Sequence, residues 1–293
     1  MKWSEEFNLY NSPVTKTSFI SSKEDFVDNP RRGLNFLKGN VMPFLGGGNV
    51  YVSDEIIFQY HKFLDKFKGS KILIIGAGPS TETSDFSQDD YDFVWSCNHF
   101  FKNDKIRKMN ISLVTLGDEV NVRDKGLLNY LDENETIVCF ENRNTDPSGM
   151  SFIKNKFPDN TFWALTRYHS RIGTIPRIAC IAASLGASEI HFVGMDGYVP
   201  KSLSSQFKNT CFESGKGPSG YVEKHTDDEG IVELYKEQYL TFWDYLLHDV
   251  GKHVIFKNIG AGHPCNLSDV VLKEKIGEDY GEYLLNRGPR NEK

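Results

Sequence analysis

Cysteine is scarce and scattered in this chain: Cys97, Cys139, Cys180, Cys211 and Cys265, with no CxxC pair. That excludes a disulfide framework and a cysteine-based structural zinc. Positive charge is in short supply too, with 34 Lys and Arg against 40 Asp and Glu and a formal net charge of −6. A nucleic-acid partner held mainly through phosphate contacts is not expected. No apolar run approaches the length that crosses a bilayer, and the opening MKWSEEFNLY is acidic and polar where a signal peptide would be basic and then apolar. The expected location is cytoplasmic. Internal repeats and low-complexity tracts are absent.

What the 293 residues do contain is ordinary globular material, 39% hydrophobic and 25% charged, enough for one substantial core. From Lys71 onward short apolar runs alternate with polar or helical stretches: Ile72 to Ile75, Phe93 to Cys97, Ser112 to Leu116, Thr136 to Phe140, Phe162 to Leu165, Ile190 to Val193 and Val254 to Phe256. That alternation predicts an α/β fold with a mostly parallel sheet, a single Rossmann-like nucleotide-binding domain over residues 55–293. Residues 1–54, with the turn-rich NPRRG and FLGGGNV, read as an irregular extension. Asp54 reads as the N-cap of a helix to about Phe67, and Ile231 to His248 as an amphipathic helix whose aromatics belong to the core. The polar, glycine-bearing segment 199–228 reads as a lid over the strand ends. Cys97, Cys139 and Cys180 sit in apolar contexts and read as small buried hydrophobes.

Two motifs carry chemistry. In KILIIGAGPST (Lys71 to Thr81) an apolar strand runs into a glycine turn. Gly76 and Gly78 allow close backbone approach, and Pro79 with Ser80 makes the pattern GxGPS rather than the dinucleotide GxGxxG, so a nucleotide phosphate or ribose contact is expected and not NAD. A tight turn with no ligand accounts for the same residues. In RIGTIPRIACIAASLGASEIHFVGMDGY (Arg171 to Tyr198), Pro176 opens a small-residue helix that Gly186 stops. The strand that follows delivers Gly194, Asp196 and Tyr198 to the crevice where open parallel sheets bind ligands. Asn98, at the end of its own strand, suits either a ligand contact or a side-chain cap on a turn, and Asp196 likewise.

The spacing of GAGPS, SCNHFF (Ser96 to Phe101), the Arg171 to Tyr198 block and a histidine after a polar lid resembles the bacterial lipooligosaccharide sialyltransferases, from about Lys71 to Val271. The resemblance implies a modified Rossmann fold and a CMP-activated sialic acid, or a related keto-sugar, as donor substrate, with no other cofactor and no metal. It implies donor contacts from Gly76, Gly78, Pro79, Ser80, Asn98 and Thr174, and the strand-end position adds Asp196 as a donor-binding candidate. Asn266 in the late turn GAGHPCNLSD, beside His263, is a further implied contact. Tyr198 is implied near the donor phosphate, and His225 as general base in an inverting, single-displacement transfer. The partners implied are a sugar nucleotide and a glycan acceptor, with no nucleic acid; peripheral membrane association is compatible.

Departures from the family pattern lie at Gly117 and Asp118, where the family has an asparagine, and at Gly197, which replaces an aromatic; only Tyr221 is available for a second lid tyrosine. Two other readings stand beside this one. A magnesium-dependent, pyrophosphokinase-like or flagellin-modification-type enzyme of the same fold would use Asp118 and Asp196 as metal ligands. A sugar-nucleotide binding protein without chemistry would keep the fold alone.

Overall fold

The computed structural model describes residues 18–20, 49–117, 119–141, 146–170, 173–198, 210–212 and 228–260. Two short strands come first in the chain, β1 (Ser18–Ile20) and β2 (Asn49–Val52), followed by β3 (Ile56–Tyr60). The main run is β4 (Lys71–Ile75), β5 (Phe93–Cys97), β6 (Ile111–Thr115), β7 (Ile137–Glu141) and β8 (Thr161–Thr166). Then come β9 (Tyr168–Ser170), β10 (Glu189–Val193) and β11 (Ile255–Asn258). Among the described residues the α-helices are α1 (Ser80–Thr83), α2 (Lys125–Asn134), α3 (Pro147–Lys156), α4 (Ile175–Ser184) and α5 (Asp228–Tyr245).

Nine strands form one sheet in the order β11-β10-β4-β5-β6-β7-β8-β3-β2, and β1 pairs antiparallel with β9 in a separate two-stranded sheet. The seven strands from β11 to β8 are parallel, and β3 and β2 close the far edge antiparallel. The fold is therefore α/β with a mostly parallel, Rossmann-like sheet, and each apolar run read as a strand is one. β4 to β8 are laid down side by side, after which the chain returns through α4 to place β10 on the free side of β4. The direction of winding thus reverses between β4 and β10, the position at which open α/β sheets form a crevice.

The central strands are buried on both faces, so they are continuous apolar runs rather than alternating ones. Ile72 to Ile75, Trp95 and Trp163 are fully buried. α4 packs against β4, β8, β9 and β10 and is buried from Ile175 to Ala183, and its small residues permit that close approach. Trp243 of α5 lies among Phe192, Phe242 and Phe256, in tilted and edge-on aromatic contacts of 5.0 to 5.8 Å between centroids.

Three expectations are corrected. The helix proposed from Asp54 is instead β3 followed by a 3-10 turn at Lys62–Phe67. Ile56, Ile57 and Phe58 are consecutive buried residues between β2 and β8, and a β-branched, two-sided apolar run favours a strand. Residues 18–20 and 49–52 are strands, not irregular chain. The late helix starts at Asp228 and ends at Tyr245 in a π-helical turn, Leu246–Val250, whose Asp249 reaches back to Arg167.

On β10, His191 is satisfied as a neutral ring: the Tyr91 hydroxyl donates to Nδ1 at 2.9 Å, and Nε2–H donates to Glu189 at 2.5 Å. Burial holds its pKa below the ordinary 6.5, against the opposing pull of Glu189. The unfolded chain then binds more protons in acid, so this contribution is complete above about pH 6.5 and is lost as pH falls toward the folded-state value. Urea unfolding of His191→Gln should accordingly show a flatter fall in stability between about pH 7 and 5 than the parent protein. Identical slopes would remove His191 from that response.

Candidate functional site

At the reversal point the carboxyl ends of β4 and β10 are bonded together beyond the strands themselves. Gly76 N–H donates to the Val193 carbonyl at 2.8 Å and Gly78 N–H to the Gly194 carbonyl at 2.9 Å. A Cβ on Gly76 would stand 2.5 Å from the Gly194 oxygen, and one on Gly78 would stand 2.5 Å from Asp196 Oδ2. Gly194 adopts φ +74, and a Cβ there would lie 2.5 Å from the Gly76 oxygen. The close backbone approach expected of Gly76 and Gly78 is real, and what approaches is the neighbouring strand end.

Asp196, 2% exposed, closes this junction. Its Oδ2 accepts from Ser80 N–H at 2.7 Å and its Oδ1 from Ser80 Oγ–H at 2.5 Å. Ser80 Oγ in turn accepts from Gly194 N–H at 3.0 Å, and Thr81 Oγ1 donates to the Gly76 carbonyl at 2.8 Å. A backbone N–H at a helix start is a natural anion site, and here the anion is the protein's own carboxylate. β11 also converges on it, since a Cβ on Gly260 would lie 2.6 Å from Ser80 Oγ.

One turn of the 199–228 segment is seated on the same loop. Cys211 N–H donates to the Ala77 carbonyl at 2.7 Å, its thiol contacts the Gly78 carbonyl at 3.4 Å, and Asn103 Nδ2 donates to the Cys211 carbonyl at 3.3 Å. Burial pushes this thiol up to about 12, so it is uncharged at neutral pH. Phe212 beside it is buried. Thr210 to Phe212 are thus anchored on the glycine turn, in the middle of the segment expected as a lid. His225, the expected base, and Tyr221 lie outside the described residues.

Asn98 occupies the next strand end with φ +48, a left-handed conformation asparagine tolerates. Its Oδ1 accepts from Gly117 N–H at 2.9 Å and its Nδ2 donates to Glu119 at 2.6 Å. Both ends of the amide tie the β5 turn to the β6 turn, and the side chain stays half-exposed. Thr174 begins α4 without a side-chain cap, and Ile175 packs onto Gly76, so the first turn of α4 borders the same crevice. Tyr198 is buried with its ring 5.7 Å from Tyr235 of α5. Pro79 precedes α1 as its N-cap residue, in αR conformation. Gly76, Gly78, Pro79, Ser80 and Asp196 are therefore brought together, with Asn98 and Thr174 at neighbouring strand and helix ends. Asn266, His263 and Asp118 lie outside the described residues. Among the described residues no group of three or more His, Cys, Asp or Glu could hold a metal ion.

Several residues that build this end of the sheet were not singled out from the sequence. Glu141, at the end of β7, forms an ion pair at 2.9 Å with Arg177 in the first turn of α4, both side chains 4% exposed. Thr115 ends β6 in register with Cys97 and Cys139, and its buried hydroxyl has no hydrogen-bond partner among the described residues. The one available signal was Arg177 itself, a charge inside an otherwise apolar helical run.

The Asp196 junction is expected to matter without any ligand. Asp196→Ala leaves two buried Ser80 donors without their acceptor and should cost about 2 to 4 kcal/mol of unfolding free energy. Asp196→Asn, which keeps one acceptor, should cost less. Gly194→Ala, strained and obstructed at once, should cost about 3 kcal/mol or more. Chemical denaturation of the ligand-free variants measures all three, and a neutral Asp196→Ala would dismiss the junction as a structural element.

No family model matches the chain, and no curated protein sequence does. Among solved structures, a crystal structure of the sialyltransferase CST-II in complex with trisaccharide acceptor and CMP aligns with 68% of this chain and 87% of its own, at 14% identity and a TM-score of 0.40. At that level the two chains share only a distant likeness.

Proposed function

We propose that this chain is a glycosyltransferase that moves a sialic acid or related keto-sugar from a CMP-activated donor to a glycan acceptor. The observation that carries the reading is the reversal-point crevice, where Asp196, Asn98 and the first turn of α4 gather at adjacent strand ends. The sequence resemblance through the Arg171 to Tyr198 block supports it.

The chemistry follows from the residues. Asp196 already occupies the helix start, so a second anion on that turn would meet like charge. The part of a nucleotide suited to the neighbourhood of a carboxylate is a hydroxyl or amino donor, the ribose or the base. On this reading the donor phosphate lies away from Asp196, toward Thr174 and Tyr198, and the Tyr198 hydroxyl donates to it as the nucleotide leaves. The leaving group is already anionic, and its departure needs neutralisation by hydroxyl and N–H donors more than a strong acid. His225 takes the proton from the acceptor hydroxyl as that oxygen attacks, since an imidazole with a pKa near ~6.5 is free to accept at neutral pH. One displacement with inversion needs no covalent enzyme intermediate.

Thermal shift tests the donor. CMP and CDP should stabilise ahead of adenine and uridine nucleotides, by about 2.7 kcal/mol at about 100 times the dissociation constant. Stabilisation by ATP or UDP but not CMP would refute the cytidine assignment. His225→Ala should lower turnover by roughly 10²- to 10⁴-fold with nucleotide affinity nearly unchanged, and full turnover would move the base elsewhere. Turnover should persist in chelator; its loss, restored by magnesium, would favour the pyrophosphokinase-like alternative.

A further inference from the structure

We infer that the buried pair Glu141–Arg177 is a positioning device for the first turn of α4, the turn that borders the crevice. This rests on the proposed site at the reversal point for its functional meaning, and on the geometry alone for its structural part. Two general tendencies oppose an arginine at this place. A cation near a helix N-terminus faces the positive end of the helix dipole, and a guanidinium out of water loses its hydration. The chain places Arg177 there all the same, at 4% side-chain exposure, and brings Glu141 to 2.9 Å of its Nε.

The thiols around the pair carry no charge. Cys97, Cys139 and Cys180, which feel these charges, are fully buried, and burial pushes their thiols up, Cys97 to about 12. All three are neutral, so none of them offsets either charge. A buried ion pair in such a setting adds little net stability over a well-packed apolar pair. What it does supply is direction: the carboxylate is fixed at the end of β7, and the guanidinium is on the turn that carries Thr174 and Ile175. Ile175 in turn rests against Gly76. The pair therefore links the β7 end to the β4 end through the start of α4, and a residue at such a link, breaking local rules, is where a functional constraint is expected.

The test compares Glu141→Leu/Arg177→Met with Arg177→Met alone and Arg177→Lys. Amide exchange is read at Ile178, which donates to the Thr174 carbonyl at 3.1 Å, and at Leu185, which donates to Ile181 at 2.9 Å. The double variant should keep the parental melting temperature to within a few degrees, exchange at least about tenfold faster at Ile178, and exchange unchanged at Leu185. Its CMP dissociation constant should rise by about tenfold, with Arg177→Lys lying between the two proteins in both readouts. Unchanged exchange at Ile178 would overturn the inference, as would parallel acceleration at both amides. So would a double variant as unstable as Arg177→Met alone, since the pair would then be required for the fold itself. If the parent protein binds no cytidine nucleotide the proposed function fails, and the exchange measurements still decide the positioning role.

Discussion

The junction of the β4 and β10 ends is built around one desolvated carboxylate. Taking Asp196 out of water costs several kcal/mol unless its oxygens are fully engaged, and Ser80 engages both, through its amide and its hydroxyl. That requirement sets the rest. Ser80 must sit at the start of a helical turn so that its N–H is unused, Gly78 must lack a side chain so that the carboxylate can come in, and Gly194 must turn left-handed so that the strand end can fold over. The ladder between β4 and β10 is extended past the strands as a result.

The same rule, charge buried only when closed, recurs at the carboxyl ends of β7 and β8. Arg167, 3% exposed, is held by Glu55 and Asp249, and the Tyr245 hydroxyl completes Glu55 at 2.5 Å. The cost of burying this cluster is offset by what it joins: the end of β8, the approach to β3 and the π-helical turn after α5, three segments far apart in sequence. The π-helical turn carries Asp249 to Arg167, which gives a physical reason for the change of helical pitch at Leu246. Arg177 and Glu141 make a second such link, from the carboxyl end of the neighbouring strand β7 to the first turn of α4.

The sheet was legible because its strands are buried on both faces and so stand out as uninterrupted runs such as KILII and FVWSC. The same property hid β3. Ile56, Ile57 and Phe58 fit a strand and a helix equally by spacing, and Asp54 ahead of them resembled an N-cap; pairing with β8 on one side and β2 on the other decided the matter. Gly76 and Gly78 were legible as close-approach positions, but a glycine in sequence does not name its neighbour, and the neighbours here, Gly194 and Asp196, come from the far end of β10. Arg177 and Glu141 were not legible as a pair for the same reason, since nothing local to either residue points to the other. Of the expected site, Asp196, Asn98 and Thr174 are gathered at one end of the sheet, whereas His225 and Asn266 fall outside the described residues.

A turn that already holds its own anion constrains any ligand more tightly than an open glycine loop would. An open loop offers unpaired N–H groups and recruits phosphate; here the Gly76, Gly78 and Ser80 N–H groups are all committed to β10, and the Ala77 and Gly78 carbonyls are met by Cys211. The groups gathered at this end are the Asp196 carboxylate, the Asn98 amide that ties the β5 turn to the β6 turn, and the start of α4. Beside a carboxylate, a neutral hydrogen-bond donor is favoured and a second negative charge is not. On the proposed reading, a nucleotide-activated sugar would seat its nucleoside at this turn and keep its phosphate away from Asp196.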